Sequence, residues 1–173
     1  MELDTDFLLV QKMRTGDEKA FESFIKKYYP AILTYCEIHI KDYGYAEDMT
    51  QETFTRFFRT FGQYKHYGKA VNYLYVIAAN VCKDFFRKKQ ELLWNDFTEL
   101  PEKQENDVAE KIIISEALGT LPDELKEVAV LFFIQERKQK DIAIILNIGV
   151  PLVKYRIRRA RELLSAYFRE EDL

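Results

Sequence analysis

AEDMTQETFTRFFRTF (Ala46–Phe61), a short break, and VNYLYVIAANVCKDFFRKK (Val71–Lys89) form the stretch on which the reading of this chain turns. In the first half Phe54, Phe57, Phe58 and Phe61 recur at i, i+3, i+4, i+7, the spacing of one face of an α-helix. The other face carries Asp48, Gln51, Glu52, Thr55, Arg56 and Arg59. Its acids come early and its arginines late, the order that the helix macrodipole favours. The second half repeats the pattern, with Leu74, Ile77, Ala78, Val81 and Phe85 on the expected inner face. Its opposite stripe is Tyr73, Val76, Asn80, Lys83 and Arg87. An ordinary solvated helix would show mixed charge there.

Between Phe54 and Gln90 there are eight Lys and Arg residues and one acid, Asp84. Phe54, Phe57, Phe58, Phe61, Tyr64, Tyr67, Tyr73, Tyr75, Phe85 and Phe86 lie among them. Cations neutralise phosphate and rings stack unpaired bases, so a basic track interleaved with aromatics suits single-stranded nucleic acid. The helical spacing of the phenylalanines assigns them first to a core. The tyrosines and the Asn80 stripe are left open between core and contact surface.

Outward from this stretch, charge is divided into blocks. The net charge of −3 hides a second basic segment, with Arg137, Lys138, Lys140, Lys154, Arg156, Arg158, Arg159 and Arg161 against Asp141 alone. Between the two, Glu91 to Lys111 holds seven acids and two lysines. Two basic blocks joined by an acidic connector point to a nucleic-acid partner. On the N-terminal side, Leu3 to Thr15 reads as a helix stopped at Gly16-Asp17, and Asp17 can cap the next helix, which continues past Pro30 to about Ile40. Proline at that position is expected to kink it. These helices and the central pair make one helical domain over residues 1–90. Residues 91–106 lose periodicity and contain Pro101, so they read as an acidic, flexible linker, with Trp94 near its apolar start.

Residues 107–173 form a second helical domain. Val108 to Leu118 is a helix, LPDE (Leu121–Glu124) a break with Asp123 as N-cap, and Leu125 to Ile134 a further helix. In QKDIAIILNIGVPLVKYRIRRARELL (Gln139–Leu164) a short helix with Ile142, Ala143 and Leu146 inward ends at Asn147, which favours a left-handed cap. The chain turns through Ile148-Gly149 and enters a basic helix at Val150-Pro151, where proline suits the first turn. This is helix-turn-helix logic. Val153, Ile157 and Ala160 are expected inward, with Lys154, Tyr155, Arg158 and Arg159 outward. The fold class is therefore all-α, two small helical domains.

Composition excludes other classes. The apolar share is 47%, ordinary for a globular chain. No apolar run reaches the roughly 18 residues of a membrane span, and no signal-peptide pattern opens the sequence, so a cytoplasmic protein without membrane insertion is expected. Cys36 and Cys82 sit alone in apolar helical contexts and read as buried thiols. His39 and His66 complete no metal-ligand spacing. No phosphate loop, zinc-protease motif or nucleophile elbow is present, so no catalytic residue, metal or cofactor is expected and the protein is not read as an enzyme.

AEDMTQETFTRFF, YLYVIAANVCKDFFRKK and KDIAIILNIGVPLVKYRIRRAR, in this order and spacing, resemble bacterial sigma factors of the sigma-70 family, and the short two-domain layout resembles their extracytoplasmic-function (ECF) group. The resemblance spans nearly the whole chain except the linker. It implies a transcription initiation factor whose first domain binds core RNA polymerase and opens the minus-ten element, while the second reads the minus-thirty-five element as duplex DNA. Asp48, Gln51 and Glu52, followed by Phe54, match the motif that docks on the polymerase β′ subunit. Contact with the β subunit is implied too. Tyr73, Asn80, Asp84 and Arg87 match the minus-ten helix, and Lys154, Arg156, Arg159, Ala160 and Arg161 the recognition helix and its tail.

From the residues, Tyr64 and Tyr67 are candidate stacking walls around a base pocket near Asn80, with Lys83, Arg87 and Lys88 on phosphate. Lys154 and Tyr155 are candidates for base edges and Arg156, Arg158 and Arg159 for phosphate. Tyr73, Val76, Gly149-Val150-Pro151-Leu152 and Tyr155 depart from the family's usual residues, which bears on the sequence of the element recognised. The resemblance also implies an anti-sigma factor as partner, and a linker threading toward the RNA path, where Glu99, Glu102 and Glu105 could mimic RNA. Two other readings stand beside it: a stand-alone helix-turn-helix regulator with a palindromic site, which leaves Gln51-Glu52 without a role, and a sigma-like interaction protein that starts no transcription.

Overall fold

A computed structural model of the chain describes residues 6–65, 69–95 and 109–171. Among the described residues there are helices and turns and no strand. The chain divides into two compact units, Met1–Gln104 and Glu105–Leu173.

The first unit contains α1 (Phe7–Arg14), α2 (Glu18–Ile40), α3 (Tyr43–Thr60) and α4 (Ala70–Asn95). Asp17 caps α2 as its sequence position requires, its carboxylate accepting from the Lys19 and Ala20 N–H groups. α2 continues through Pro30 to Ile40 and is capped by Lys41, which takes the left-handed conformation (φ 58°). Asp42 then caps α3 by accepting from the Tyr45 N–H, so this helix begins three residues before the expected Ala46. Its aromatic stripe supplies the core: Phe57 is fully buried and stacks on Phe24 with ring centres 4.9 Å apart. Leu74, Ala78 and Val81 of α4 are buried against it, as the periodicity predicts. α2, α3 and α4 pack mutually and α1 closes on α2.

One open reading is decided and one boundary moves. Tyr75, counted with the basic-aromatic track, is 1% exposed and meets the Tyr35 ring edge-on, so it is core. α4 also runs to Asn95, five residues into the segment expected as linker. Its sequence there, QELLWN, contains no glycine or proline to stop a helix. Most of the acidic connector, with Glu99, Glu102 and Glu105, lies outside the described residues.

The second unit contains α5 (Ala109–Gly119), α6 (Asp123–Ala129), α7 (Gln139–Leu146) and α8 (Val150–Glu171). Pro122 rather than Asp123 is the cap of α6, and Asp123 occupies the first turn. α6 passes into one π-turn, Val130–Ile134, closed by the Gln135 N–H on the Val130 carbonyl. α8 packs on α5, α6 and α7. The core is aliphatic: Val128, Leu131, Ile142, Val153, Ile157 and Ala160 are buried. On α7 Asp141, Ile142 and Ile145 are buried, whereas Ala143 and Leu146, expected inward, are only half-buried.

Candidate polymerase and nucleic-acid surfaces

On α3, Asp48 and Gln51 are exposed and Glu52 half-exposed. They occupy one face because residues three and four apart on a helix are neighbours. Tyr29 of α2 lies beside this face, and its phenol is pushed above its ordinary value, first by burial and then by Glu47. Phe54, expected with this docking set, is 5% exposed and stacks on the same Tyr29 with centres 6.0 Å apart. It anchors α3 from beneath the polar face.

The outward stripe of α4 is placed as expected. Asn80, Lys83, Arg87 and Lys88 are exposed, and Tyr73 is half-buried. The tyrosines are organised by each other. Tyr64 stacks on Tyr73 with ring centres 5.2 Å apart and planes 16° from parallel, and the Tyr73 hydroxyl pairs with Thr60 Oγ1 at 3.1 Å. Tyr64 also stacks on Phe61 with centres 6.3 Å apart, so its ring is engaged within the aromatic cluster. The Tyr64 carbonyl accepts from Arg14 Nη2 at 2.6 Å, tying this segment to α1. Tyr67 lies outside the described residues.

A feature that the sequence pattern does not reveal joins the two faces. Arg56 of α3 donates from Nε to Glu52 Oε1 at 2.7 Å and from Nη1 to Asp84 Oδ2 on α4 at 2.8 Å. Arg87 Nη2 lies 3.6 Å from the other Asp84 oxygen. Arg56 chiefly, with Arg87 and Lys88 beyond it, holds the Asp84 carboxyl below its ordinary range, and the two acids raise the Arg56 guanidinium. The one signal in the sequence is the isolation of Asp84 in a basic track. Its partner 28 positions away is not legible there.

In the second unit the helix-turn-helix forms as expected. Asn147 takes the left-handed conformation (φ 52°, ψ 49°), and the Ile148 N–H returns to the Ala143 carbonyl at 3.0 Å. Lys154, Tyr155, Arg158 and Arg159 are exposed on α8, and Val153, Ile157 and Ala160 are buried. The Arg158 guanidinium lies 5.8 Å from the Tyr155 ring centre, and Arg159 pairs with Glu162 at 3.0 Å. Arg156 departs from expectation. Its side chain is 16% exposed and its Nη2 donates to Glu124 of α6 at 2.8 Å. It pins α8 to α6 and is withdrawn from the exposed row.

Cys36 and Cys82 are both buried, as expected, and their Sγ atoms are 4.0 Å apart, from α2 and α4. Among the described residues no group of three or more His, Cys, Asp and Glu side chains is placed to hold a metal ion. None of the described helices is long and apolar enough to cross a membrane.

An all-helical first unit with an acidic face beside a basic one, and a second unit carrying a basic helix-turn-helix, define a two-part DNA-directed regulator. Family comparison specifies it. Residues 24–91 match sigma-70 region 2 and residues 111–164 match sigma-70 region 4. The chain is 30% identical to the ECF RNA polymerase sigma factor SigW of Bacillus subtilis, over 93% of this chain and 95% of that protein. It is 26% identical to the RNA polymerase sigma-H factor of Pseudomonas aeruginosa, over 94% of this chain and 93% of that one. Among solved structures, CnrH in complex with the cytosolic domain of CnrY superposes with a TM-score of 0.76 at 24% identity, covering 96% of this chain and 99% of that one. The sigma factor RpoE in complex with the anti-sigma factor NepR from Bartonella quintana gives 0.74 at 18% identity, covering 87% and 98%. The chain belongs to the ECF group of the sigma-70 family, the transcription initiation factors.

Proposed function

We propose that this protein directs core RNA polymerase to promoters by using three separate surfaces. Asp48, Gln51 and Glu52 on α3 dock on the polymerase β′ subunit, and the second unit reaches the β subunit. The outward row of α4, with Asn80 taking a flipped base and Lys83, Arg87 and Lys88 on phosphate, captures the single-stranded minus-ten element. Tyr64 and Tyr67 are the stacking walls beside it, with Tyr73 stacked on Tyr64. Lys154 and Tyr155 at the start of α8 read base edges of the minus-thirty-five duplex, while Arg158 and Arg159 hold its phosphates. The observation that carries this reading is the exposure of the Asn80, Lys83 and Arg87 row on a helix whose other face is buried through Leu74, Ala78, Val81 and Cys82.

The energetics make the protein dependent on polymerase. Unstacking duplex costs about 1.4 kcal/mol per base-pair step. One base stacked on an aromatic side chain returns roughly 1 to 3 kcal/mol. A base or two captured on α4 therefore holds a short bubble open without melting it unaided. No covalent chemistry is needed, so the protein works as a binding factor and not as an enzyme, in the cytoplasm where polymerase and promoter are found. An anti-sigma factor is its regulatory partner on this reading, supported by the structural relative RpoE, which is seen in complex with the anti-sigma factor NepR.

The test is co-elution with bacterial core RNA polymerase on a sizing column. Wild type is expected to co-elute and the Gln51→Ala, Glu52→Ala double variant to run alone. Co-elution of both would remove the docking role from this face of α3.

A further inference from the structure

The ion chain Glu52–Arg56–Asp84–Arg87 alternates in sign and crosses from α3 to α4. A guanidinium presents its donors in a fixed planar fork, so one Arg56 can hold an acid on each helix at once. The structure shows this division: Nε on Glu52 at 2.7 Å and Nη1 on Asp84 at 2.8 Å. Asp84 is divided as well, Oδ2 facing Arg56 and Oδ1 facing Arg87 at 3.6 Å. The last of these pairs is the longest, and Arg87 is the most exposed member, with 65% of its side chain open to solvent. Arg87 is thus the link that yields first.

We infer that Arg56 is a positioning residue that couples the docking face of α3 to the DNA face of α4, so that occupation of Glu52 releases Arg87 for phosphate. This rests on the surface assignments proposed above. In the free protein Glu52 competes with Asp84 for the charge of Arg56, which leaves Asp84 with charge to share with Arg87. A cation of the polymerase that engages Glu52 removes the competitor. Arg56 then neutralises Asp84 more fully, and the hold of Asp84 on Arg87 weakens. Docking and DNA capture become linked without movement of either helix, since every pair in the chain is already within ion-pair reach.

The consequence is opposite to what removal of a docking residue would suggest. Glu52→Gln removes the competitor in the absence of polymerase, and should tighten binding of the free full-length chain to a short labelled single-stranded DNA. The expected gain is about two- to fivefold, the range that exposed ion pairs carry. Fluorescence anisotropy at low salt reads it. Asp48→Asn makes the same charge change one turn earlier on α3, outside the ion chain, and should give a distinctly smaller gain. Asp84→Asn should tighten binding by itself, and on that background Glu52→Gln should add no more than Asp48→Asn does.

Equal gains from Glu52→Gln and Asp48→Asn would overturn the coupling in favour of a general field effect. So would a full Glu52→Gln gain that persists with Asp84→Asn, or no binding by any variant. Failure of the underlying assignment is separately visible: a Lys83→Ala, Lys88→Ala double variant that binds the strand as wild type does would show that α4 is not the DNA face.

Discussion

The two basic helices solve one problem in opposite ways. α4 and α8 must each keep a basic row in solvent while the rest of the helix is buried, and each is pinned by an ion pair to a neighbouring helix. α4 contributes the acid: Asp84 reaches Arg56 of α3 and every cation of its own row stays on the surface. α8 contributes a cation: Arg156 reaches Glu124 of α6 and is withdrawn from the row. The cores differ in the same sense. The first unit packs aromatic rings, with Phe24, Phe57, Tyr35 and Tyr75 buried, and the second packs aliphatic chains. The number of positive residues along a helix is therefore an upper limit on the phosphates it can neutralise, and the shortfall depends on which neighbour supplies the anchoring charge.

The contrast between cores is broken most forcefully at Phe57. It is fully buried and stacked on Phe24, so Phe57→Ala should cost about 3 to 5 kcal/mol of stability, read from the denaturant midpoint of the far-UV circular dichroism. A cost near 1 kcal/mol would mean that the aromatic cluster closes over the vacancy.

A smaller effect sharpens the account of α8. Arg158→Ala should flatten the dependence of log K on log salt for minus-thirty-five duplex, measured in holoenzyme, by about 0.9 for each phosphate no longer neutralised. Arg156→Ala should leave that slope unchanged and lower stability by about 1 kcal/mol or less, as a single ion pair does. Exchanged outcomes would return Arg156 to the DNA-facing row.

The smallest effect concerns Asp84. Its carboxyl is held below the ordinary value of 3.8, first by the hydrogen bond from Arg56. A depressed carboxylate stabilises the fold above its unfolded value, and that contribution is lost as pH falls through its folded value. Wild type should therefore exceed Asp84→Asn in denaturant midpoint by a constant margin at neutral pH. The margin should close as pH falls below about 3.8 toward the folded value. A margin independent of pH would mean that Asp84 contributes by shape alone.

Much of this architecture is readable because it is local. The phenylalanine spacing places Phe54 and Phe57 in the core, Asp17 announces the start of α2, and Asn147 marks the turn into α8. Each depends on residues within about one helical turn of one another. Tyr75 escapes such reading because an aromatic in a basic track looks the same whether it faces base or core. The end of α4 lies beyond its expected place because a fall in periodicity does not stop a helix that has no breaker.

The amino-acid sequence by itself determined the helical class, the two basic blocks and the family, since periodicity, capping and motif spacing are properties of short segments. The tertiary structure alone decided which charged and aromatic groups remain available. Arg56 meets Asp84, Arg156 meets Glu124 and Arg14 meets the Tyr64 carbonyl across 28, 32 and 50 positions. Such pairings arise only when helices dock, because packing of their buried faces sets which polar faces come within reach of each other.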